Sequence, residues 1–278
     1  MPAVVSGLSK NKMSKIIRCP ICDKDAPLAF SHKIRDRYTA DYILCASCDY
    51  MFVANPSWLA EAYTEPIDTT DTGYVMRNIF LSKKTLILFS ILFHMSEIRQ
   101  KIFLDYAAGY GMLVRIMRDY GLDFVWDDPF TENLFAQGFK FVQGTHIDAI
   151  TCFECFEHFV QPMMEVSKLL TISNTIFFST QLKPVGIVPK ENWEYYGFNH
   201  GQHVSFYSKK TMETIAKKYN IGYYTDGNNL HLFSKKPHIK NILNIVNMLT
   251  KLQMDIPIRK LLESKTIKDY DMLVIREL

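Results

Sequence analysis

The feature that most constrains the fold is an apolar stretch, residues 102–104, that ends on Asp105 and enters a turn of small residues. Ala107, Gly109 and Gly111 belong to this turn, and a stretch with helical spacing follows at once. Residues without bulky side chains let a ligand approach the backbone closely, and the first amide N–H groups of the helix are free to bind it. The pattern predicts a strand, a turn that binds part of a nucleoside cofactor, and a helix.

The acid at the end of this strand indicates the charge of the cofactor. A carboxylate at Asp105 would repel a pyrophosphate and attract positively charged groups such as those of S-adenosylmethionine. A dinucleotide-binding turn needs G-x-G-x-x-G, and Val114 occupies the position of the third glycine. Asp128 lies 19 positions after Gly109, at the end of a second short apolar run, where an acid can accept both ribose hydroxyls. Asp127 is the alternative if the register shifts by one residue.

The strand, acid and turn resemble the first motif of class I S-adenosylmethionine-dependent methyltransferases, in which the turn reads G-x-G-x-G. Ala107 stands in place of the first glycine. The resemblance implies that S-adenosylmethionine is the methyl donor and that both strand ends contact it. The implied contacts are those of Asp105, Tyr106, Ala107, Gly109, Gly111, Asp128 and Pro129. In such enzymes helices before the first strand often cover the cofactor, which implies that Arg77 or Asn78 contacts the cofactor's carboxylate. In the alternative interpretation of this segment, residues 71–78 are a solvated helix start capped by Asp71.

Four of the six cysteines form two C-x-x-C pairs, Cys19 with Cys22 and Cys45 with Cys48, separated by 22 residues. Two thiolates in a tight turn can chelate one ion, and two such turns complete the closed four-cysteine shell of structural zinc. We therefore predict a zinc ribbon over residues 15–54, with disulfides as the alternative in a secreted chain.

Composition excludes several classes of protein. With 278 residues, 48% hydrophobic and 22% charged, the chain can bury a substantial core. The formal charge of +3 falls to about +1 with a zinc tetrathiolate of charge −2, and no basic stripe indicates a nucleic-acid partner. The longest apolar run, residues 85–95, is about half of a membrane span, and the N-terminus lacks the pattern of a secretory signal. We predict a cytoplasmic protein without a membrane span.

Strand and helix patterns alternate from residue 101 onward, which predicts a doubly wound α/β sheet with helices on both faces. Further strands are predicted at residues 123–127, 139–142, 148–153 and 175–180, followed by a hairpin around an Asp-Gly turn. The methyltransferase resemblance implies an antiparallel last strand. The predicted division of the chain is zinc ribbon 15–54, helical linker and cap 55–98, methyltransferase domain 99–236 and C-terminal helical extension 237–278. The apolar face of that extension packs on the same chain or forms a homodimer interface.

Three ionisable residues, Glu154, Glu157 and His158, follow a predicted buried strand. Open parallel sheets build their sites at this edge. The segment resembles the fourth-strand motif of quinone-biosynthesis-type O-methyltransferases, which implies that Phe153 contacts the cofactor. Three interpretations stay open for the ionisable residues: an acceptor site, a divalent metal site like the magnesium site of some of these relatives, or capping and ion pairing at the next helix.

A loop after the fifth strand is rich in aromatic residues and histidine, and loops at this edge usually receive the acceptor. It resembles the W-x-Y-Y…G-Q-H-x-S-F-Y-S stretch of bacterial methyltransferases that modify sugars or surface glycans. The candidate acceptor contacts are Glu154, Gln181, Trp193, Tyr195, Tyr196 and His200. His203 is the first candidate for the general base, His158 the second, and Glu157 completes the catalytic candidates. In the alternative interpretation the aromatic residues pack the loop and His203 only hydrogen-bonds the backbone.

These observations predict an enzyme that methylates a hydroxyl of a sugar, a nucleotide sugar or a surface-glycan precursor in polysaccharide biosynthesis. A small phenolic or quinone-like acceptor is the nearest alternative. A non-catalytic zinc-ribbon binding module with a methyltransferase-like fold is an alternative of a different class. The predicted state is a monomer or a homodimer.

Overall fold

A computed structural model describes residues 17–64 and 71–277. These ranges do not include the N-terminal segment that lacks the pattern of a secretory signal. They also leave out residues 15–16 of the predicted ribbon and residues 65–70 of the predicted linker. The strands, numbered in chain order, are β1 Ile17–Arg18, β2 Asp25–Ala26, β3 Leu28–Ile34, β4 Tyr38–Leu44, β5 Met51–Ala54, β6 Ile102–Tyr106, β7 Asp123–Asp127, β8 Ala149–Cys152, β9 Thr175–Ser179, β10 Ser205–Phe206, β11 Gly222–Thr225 and β12 Leu230–Ser234. The α-helices are α1 Leu59–Ala62, α2 Tyr74–Phe93, α3 Met112–Asp119, α4 Pro162–Ile172, α5 Lys209–Tyr219, α6 Ile242–Lys251, α7 Asp255–Lys260 and α8 Thr266–Glu277.

The alternating patterns after residue 101 form a six-stranded sheet in the order β11-β12-β9-β8-β6-β7. Strands β7, β6, β8 and β9 are parallel, whereas β12 runs antiparallel to both of its neighbours. Side chains alternate between the two faces. Phe103 and Phe177 pack against the side of α2, α3 and α6, and Leu104 and Phe178 against the side of α4 and α5. The predicted doubly wound α/β fold with an antiparallel last strand is confirmed.

The strand predicted at residues 139–142 is wrong. Residues 137–139 form a single 3₁₀ turn, and Lys140 makes one isolated bridge to Trp126 of β7. The alternating Phe139 and Phe141 suggested a strand, but side-chain packing decides the path. Phe139 is buried under the guanidinium of Arg118, 3.7 Å from its ring centroid. Strand β7 therefore ends the sheet on this side.

The N-terminal strands build a second sheet that also contains a strand from much later in the chain. Strands β3, β4 and β5 are antiparallel, and β4 and β5 flank the second cysteine pair. Strand β10 pairs with β5 at the edge, so the order is β10-β5-β4-β3. Residues 205–206 thus join the cysteine-containing segment directly to the segment between β9 and β11 of the large sheet.

The C-terminal helices pack on the same chain. Ile242, Leu243 and Val246 of α6 are buried in the core cluster that also contains the buried residues of α2. In α8, Asp269 pairs with Arg118 of α3 at 2.7 Å. This chain therefore covers part of the apolar face of the extension, while Leu252 at the end of α6 is exposed. In the described ranges, the helices are too short or too polar to cross a lipid bilayer.

Candidate active site

The turn between β6 and α3 is built around residues with left-handed backbone. Gly111, the residue before α3, has φ +83°, and a Cβ there would lie 2.2 Å from the amide of Asn133. Gly109 has φ +54° and donates its N–H to the Asp128 carboxylate at 2.8 Å. Ala107 adopts φ +58°, a region that favours glycine, at the position where the related motif has glycine. The turn predicted from small residues is present, and only glycine fits at position 111.

A cavity of about 1200 Å³ opens at the carboxyl ends of the parallel strands. Ligand sites usually occupy roughly 300–1,000 Å³, so this cavity has room for a cofactor and an acceptor together. The predicted cofactor residues in its wall are Arg77, Asp105, Tyr106, Ala107, Gly109, Asp128, Pro129 and Phe153. Gly111 shapes the turn and is not part of the wall.

Asp105 is a buried acid at the cofactor end of the cavity. Its carboxylate accepts a hydrogen bond from the Thr151 hydroxyl at 2.7 Å. Burial, and then the negative charge of Asp128, raise the pKa of Asp105 to about 7, although the Thr151 hydrogen bond lowers it. A cation in the cavity would favour the ionised form of this acid. The site is therefore prepared for a positively charged ligand.

Asp128, and not Asp127, lines the cavity, so the register of the second motif is the first one predicted. Its two carboxylate oxygens accept N–H hydrogen bonds from Gly109, Phe130 and Thr131 at 2.8 to 2.9 Å. Each carboxylate oxygen has two lone pairs, which leaves acceptor capacity for a ligand hydroxyl. Asp128 also ties the β6–α3 turn to the end of β7.

Arg77 lies at the cavity wall in an ion pair with Asp71, with N–O distances of 3.0 and 2.5 Å. Asp71 does not cap α2, because Gly73 is the residue directly before the helix and no side chain bonds the first helical N–H groups among the described residues. Asn78 donates its side-chain N–H to the carbonyl of Tyr74. The alternative of a helix start capped by Asp71 is therefore corrected, and Arg77 keeps its place beside the cofactor end.

At the other end of the cavity, Glu157, His158 and His203 converge, with one ligand atom of each within 4.8 Å of the others. His158 Nδ1 lies 3.2 Å from the carbonyl of Gln202, and His203 Nδ1 lies 2.6 Å from that of Tyr195. A carbonyl oxygen only accepts, so each Nδ1 carries a proton and each Nε2 keeps its lone pair. The backbone thereby sets the tautomer of both predicted bases.

Burial sets the charge of this cluster. It lowers the pKa of His158 to about 4 and that of His203 well below its usual range, so both imidazoles are neutral at pH 7. Burial, and then the charge of Glu154, raise the pKa of Glu157 to about 8, which the hydroxyls of Tyr195 and Thr180 partly oppose. These two hydroxyls lie near Glu157, but no described residue makes a hydrogen bond of good geometry to either of its carboxylate oxygens.

The structure corrects the candidate metal ligands at this end. Glu154 lines the cavity, but its carboxylate accepts from the Ser179 hydroxyl at 2.5 Å and does not join the convergent group, where His203 lies instead. The first turn of α4 does not use these side chains as a cap, since Gln161 is its cap residue. Two imidazoles and a carboxylate are nevertheless a donor set that a divalent ion accepts.

The aromatic residues predicted to contact the acceptor have a different position. Trp193, Tyr195 and Tyr196 lie behind the cavity wall, and Gln181 is exposed outside it. Tyr196 is buried against Tyr42 of β4, and the Tyr195 hydroxyl bonds the Thr180 hydroxyl and the Gln181 N–H at 2.9 Å. These side chains pack the loop, as the alternative interpretation held, whereas His200 does line the cavity.

The four N-terminal cysteines come together as predicted. The sulfur atoms of Cys19 and Cys48 lie 3.5 Å apart, those of Cys22 and Cys45 lie 3.4 Å apart, and all four fall within 4.8 Å of one another. None of them forms a disulfide. A tetrahedral zinc ion with Zn–S bonds of about 2.3 Å needs sulfur atoms at about this spacing. The donor set and its geometry therefore fit a structural zinc ion.

Sequence comparison places these features in a family. Residues 83–223 match the family model described as a methyltransferase domain. The chain belongs to this methyltransferase family. The predicted enzyme class, an S-adenosylmethionine-dependent methyltransferase, is confirmed, and the alternative of a non-catalytic module is not retained. No curated protein matches the sequence.

Solved structures that resemble this methyltransferase share little sequence with it. The plantazolicin methyltransferase BpumL in complex with SAH is 12% identical, covers 65% of this chain and 95% of its own, and has a TM-score of 0.42. Magnesium protoporphyrin IX methyltransferase (ChlM) from Synechocystis PCC 6803 with bound SAM is 11% identical, with coverages of 64% and 91% and a TM-score of 0.38.

The methyltransferase cavity also contains residues that the sequence patterns did not single out. Tyr63, after α1, stacks on Phe130 with ring centroids 5.0 Å apart and lies 6.2 Å from the His158 ring. Val160 and Met164 line the mouth and are exposed. No local sequence signal connects Tyr63 to His158, which lies 95 positions later. Its place depends on how the N-terminal segment packs.

Proposed function

We propose that this methyltransferase transfers the methyl group of S-adenosylmethionine to a hydroxyl of a sugar, a nucleotide sugar or a surface-glycan precursor. One observation carries the proposal. A single cavity joins the acid-edged turn at Asp105 and Gly109 to the cluster of Glu157, His158 and His203. A cofactor site and a proton-accepting site therefore share one open cavity.

The cofactor end offers complementary groups for each part of S-adenosylmethionine, whose chemistry here is to supply an electrophilic methyl group. Asp105 provides negative charge for its cationic groups, and Asp128 provides acceptor capacity for hydroxyls. Arg77 is the candidate partner for its carboxylate, in exchange for part of the ion pair with Asp71. Gly109 and Ala107 leave the backbone open to close approach.

At the acceptor end, His203 is the proposed base. Its Nε2 lone pair is free to accept the hydroxyl proton because Nδ1 is held by the carbonyl of Tyr195. His158, held in the same way by Gln202, is the second candidate, and Glu157, whose pKa of about 8 keeps it protonated at pH 7, can donate a hydrogen bond beside them. Correct positioning supplies most of the acceleration, and a general base adds roughly 10²–10⁴-fold.

The acceptor class rests on the lining of this end and on the resemblance of residues 193–208 to sugar-modifying enzymes. The aromatic faces of Tyr63 and Phe130 suit the C–H face of a sugar ring, next to hydrogen-bonding imidazoles and carboxylates. The exposed Val160 and Met164 at the mouth favour the second candidate, a small phenolic or quinone-like acceptor. Glu154 and His200 are proposed acceptor contacts.

We also propose that the four cysteines hold zinc and that the chain divides into the four regions predicted above. We propose further that the protein acts in the cytoplasm as a monomer or homodimer. The strongest support for the zinc ion is the sulfur geometry. The division receives support from the matched range of residues 83–223, which falls mostly within the predicted methyltransferase domain.

Calorimetry with S-adenosylmethionine, followed by mass spectrometry of methyl transfer to a panel of nucleotide sugars and small phenols, tests this function. We expect His203→Ala to lower turnover by about 10²–10⁴-fold with little change in cofactor affinity. His146→Ala, on an exposed side chain, is the matched control. If His203→Ala and His158→Ala both keep full turnover, neither imidazole is the base. If only the phenols are methylated, the sugar proposal fails.

A further inference from the structure

The loop that carries His203 is attached at its end to the cysteine-containing segment. We name residues 181–206 the acceptor loop and residues 17–54 the cysteine unit. Val53 of β5 donates its N–H to the carbonyl of Val204 at 2.9 Å, and Ser205 pairs with Phe52 in the same sheet. Val204 in turn donates its N–H to the carbonyl of Glu157 at 2.8 Å. One stretch of backbone therefore connects β5, the position after His203 and the Glu157–His158 turn.

The beginning of the acceptor loop is attached to the second cysteine turn by a buried ion pair. The Lys183 Nζ lies 2.8 Å from the carboxylate of Asp49, the residue that follows Cys48, and both side chains are almost fully buried. The same ammonium group donates to the carbonyls of Pro184 and Ile187. A buried ammonium that is satisfied by one acid and two carbonyls holds the loop in a single position.

The middle of the acceptor loop is also bonded to N-terminal residues. Arg35 donates its N–H to the carbonyl of Phe198 at 2.9 Å, and the Trp58 indole donates to the carbonyl of Gly201 at 2.7 Å. A Cβ at Gly201 would lie 2.5 Å from the Ile34 side chain and 2.8 Å from the Trp58 indole, so these two side chains pack directly on the loop backbone. The loop is therefore attached to the N-terminal segment at its beginning, middle and end.

Among the described residues, no hydrogen bond or ion pair joins the cofactor end to the cysteine unit, although Tyr106 shares a buried core cluster with Cys45 and Cys48. The turn of the cofactor end is held by contacts within the large sheet, namely Gly109 with Asp128 and Asp105 with Thr151. The residues of the cysteine unit do not line the cavity. The second cysteine turn instead bonds to α5, where the Thr211 hydroxyl donates to the carbonyl of Cys48 at 3.0 Å.

We propose that the metal-loaded cysteine unit positions the acceptor end of the active site, through Asp49, Lys183 and Val53 as positioning residues. When the four cysteines hold their metal, the turn at residues 45–49 and strand β5 keep fixed places, and the acceptor loop is fixed with them. His203 and the Glu157–His158 turn then keep their relative positions. Loss of the metal releases the acceptor loop and leaves the cofactor end intact. The unit is thus part of the active-site scaffold and not a separate recognition module.

The test uses the full chain and needs no identified acceptor. Hydrogen–deuterium exchange of residues 193–206 reports on the acceptor loop, and calorimetry with S-adenosylhomocysteine reports on the cofactor end. For the protein after chelation of its metal, and for Lys183→Met, we expect exchange in residues 193–206 to rise at least about tenfold. The dissociation constant of S-adenosylhomocysteine should change less than about threefold. Lys190→Met, an exposed lysine of the same loop, is the matched control and should change neither.

Two results would overturn the proposal. Unchanged protection of residues 193–206 in the metal-free protein would show that the loop does not depend on the cysteine unit. A parallel loss of S-adenosylhomocysteine binding would show that the metal supports the whole fold rather than one end of the cavity. If Lys183→Met does not fold, chelation of the wild-type chain decides alone. Neither readout uses methyl transfer, so failure of the proposed function leaves this test unaffected.

Discussion

The cofactor end of the cavity is made by two short stretches of sequence, residues 105–111 and 127–131, whereas the acceptor end joins Glu157 to His203, 46 positions later. In the first region each element follows from its neighbours: a strand ends, a left-handed turn follows, and a helix begins. In the second region the side chains meet through tertiary contacts: Val204 donates its N–H to the carbonyl of Glu157, and β10 pairs with a strand of the cysteine unit. Changes at the first should therefore act locally, and changes at the second should depend on distant packing.

Gly111→Ala should have the largest effect at the cofactor end. The new Cβ would meet Asn133 at 2.2 Å in a backbone conformation with φ +83°. We expect a loss of about 2–4 kcal/mol in the free energy of unfolding, from steric conflict and backbone strain together. Binding of S-adenosylmethionine should fall below detection by calorimetry, because the turn must move.

Gly144→Ala separates the two causes of this loss. Gly144 has φ +94°, and a Cβ there would meet nothing within 4 Å. Urea unfolding should show a loss of only about 1–2 kcal/mol, the cost of left-handed backbone alone. Equal losses in the free energy of unfolding for the two variants would mean that the Asn133 side chain moves aside at little cost. The close packing of the turn would then not contribute to the effect of Gly111→Ala.

Glu157→Gln should stabilise the protein at alkaline pH, which probes the acceptor end. The pKa of Glu157 is about 8 in the folded state and near 4.3 unfolded, so the folded state binds the extra proton. Its contribution to stability is complete below pH 4 and is lost as the pH rises through 8. At pH 9 we expect the free energy of unfolding of the variant to be about 1–3 kcal/mol higher than that of the wild type, as measured by urea unfolding. A wild-type stability that stays level between pH 5 and 9 would contradict this.

The same contrast explains how far the sequence could predict the site. The C-x-x-C pairs, the Asp105 turn and Asp128 are local patterns, and the structure has them in the predicted places. Trp193 and Tyr195 were misplaced because an aromatic residue in a loop looks the same whether it packs a wall or faces a ligand. Tyr63 was missed because only its tertiary contact with Phe130 brings it to the cavity.

The affinity for S-adenosylmethionine should increase with pH, by up to about tenfold per unit below pH 7. Burial raises the pKa of Asp105 to about 7, and a bound cation favours its ionised form, so binding must release a proton at lower pH. Asp105→Asn should flatten this dependence. Thr151→Val removes the hydrogen bond that lowers the pKa of Asp105, so the midpoint should move to higher pH. Calorimetry at several pH values measures all three, and an unchanged midpoint in Thr151→Val would exclude Asp105 as the source.

Ala107→Gly should have the smallest effect and the opposite sign. The φ of +58° at Ala107 costs the folded state about 1–2 kcal/mol of backbone strain, which glycine would not have. Glycine, however, increases the chain entropy of the unfolded state, which costs about 0.5–1 kcal/mol of stability. The net change should be a gain of about 0.5 kcal/mol in the free energy of unfolding. The adjacent Ala108→Gly carries the entropic cost and also removes a buried methyl group, so it should lose about 1–2 kcal/mol. Cofactor affinity should stay unchanged in Ala107→Gly, since the related motif carries glycine there; a weaker complex would mean that the Ala107 methyl group contacts the ligand.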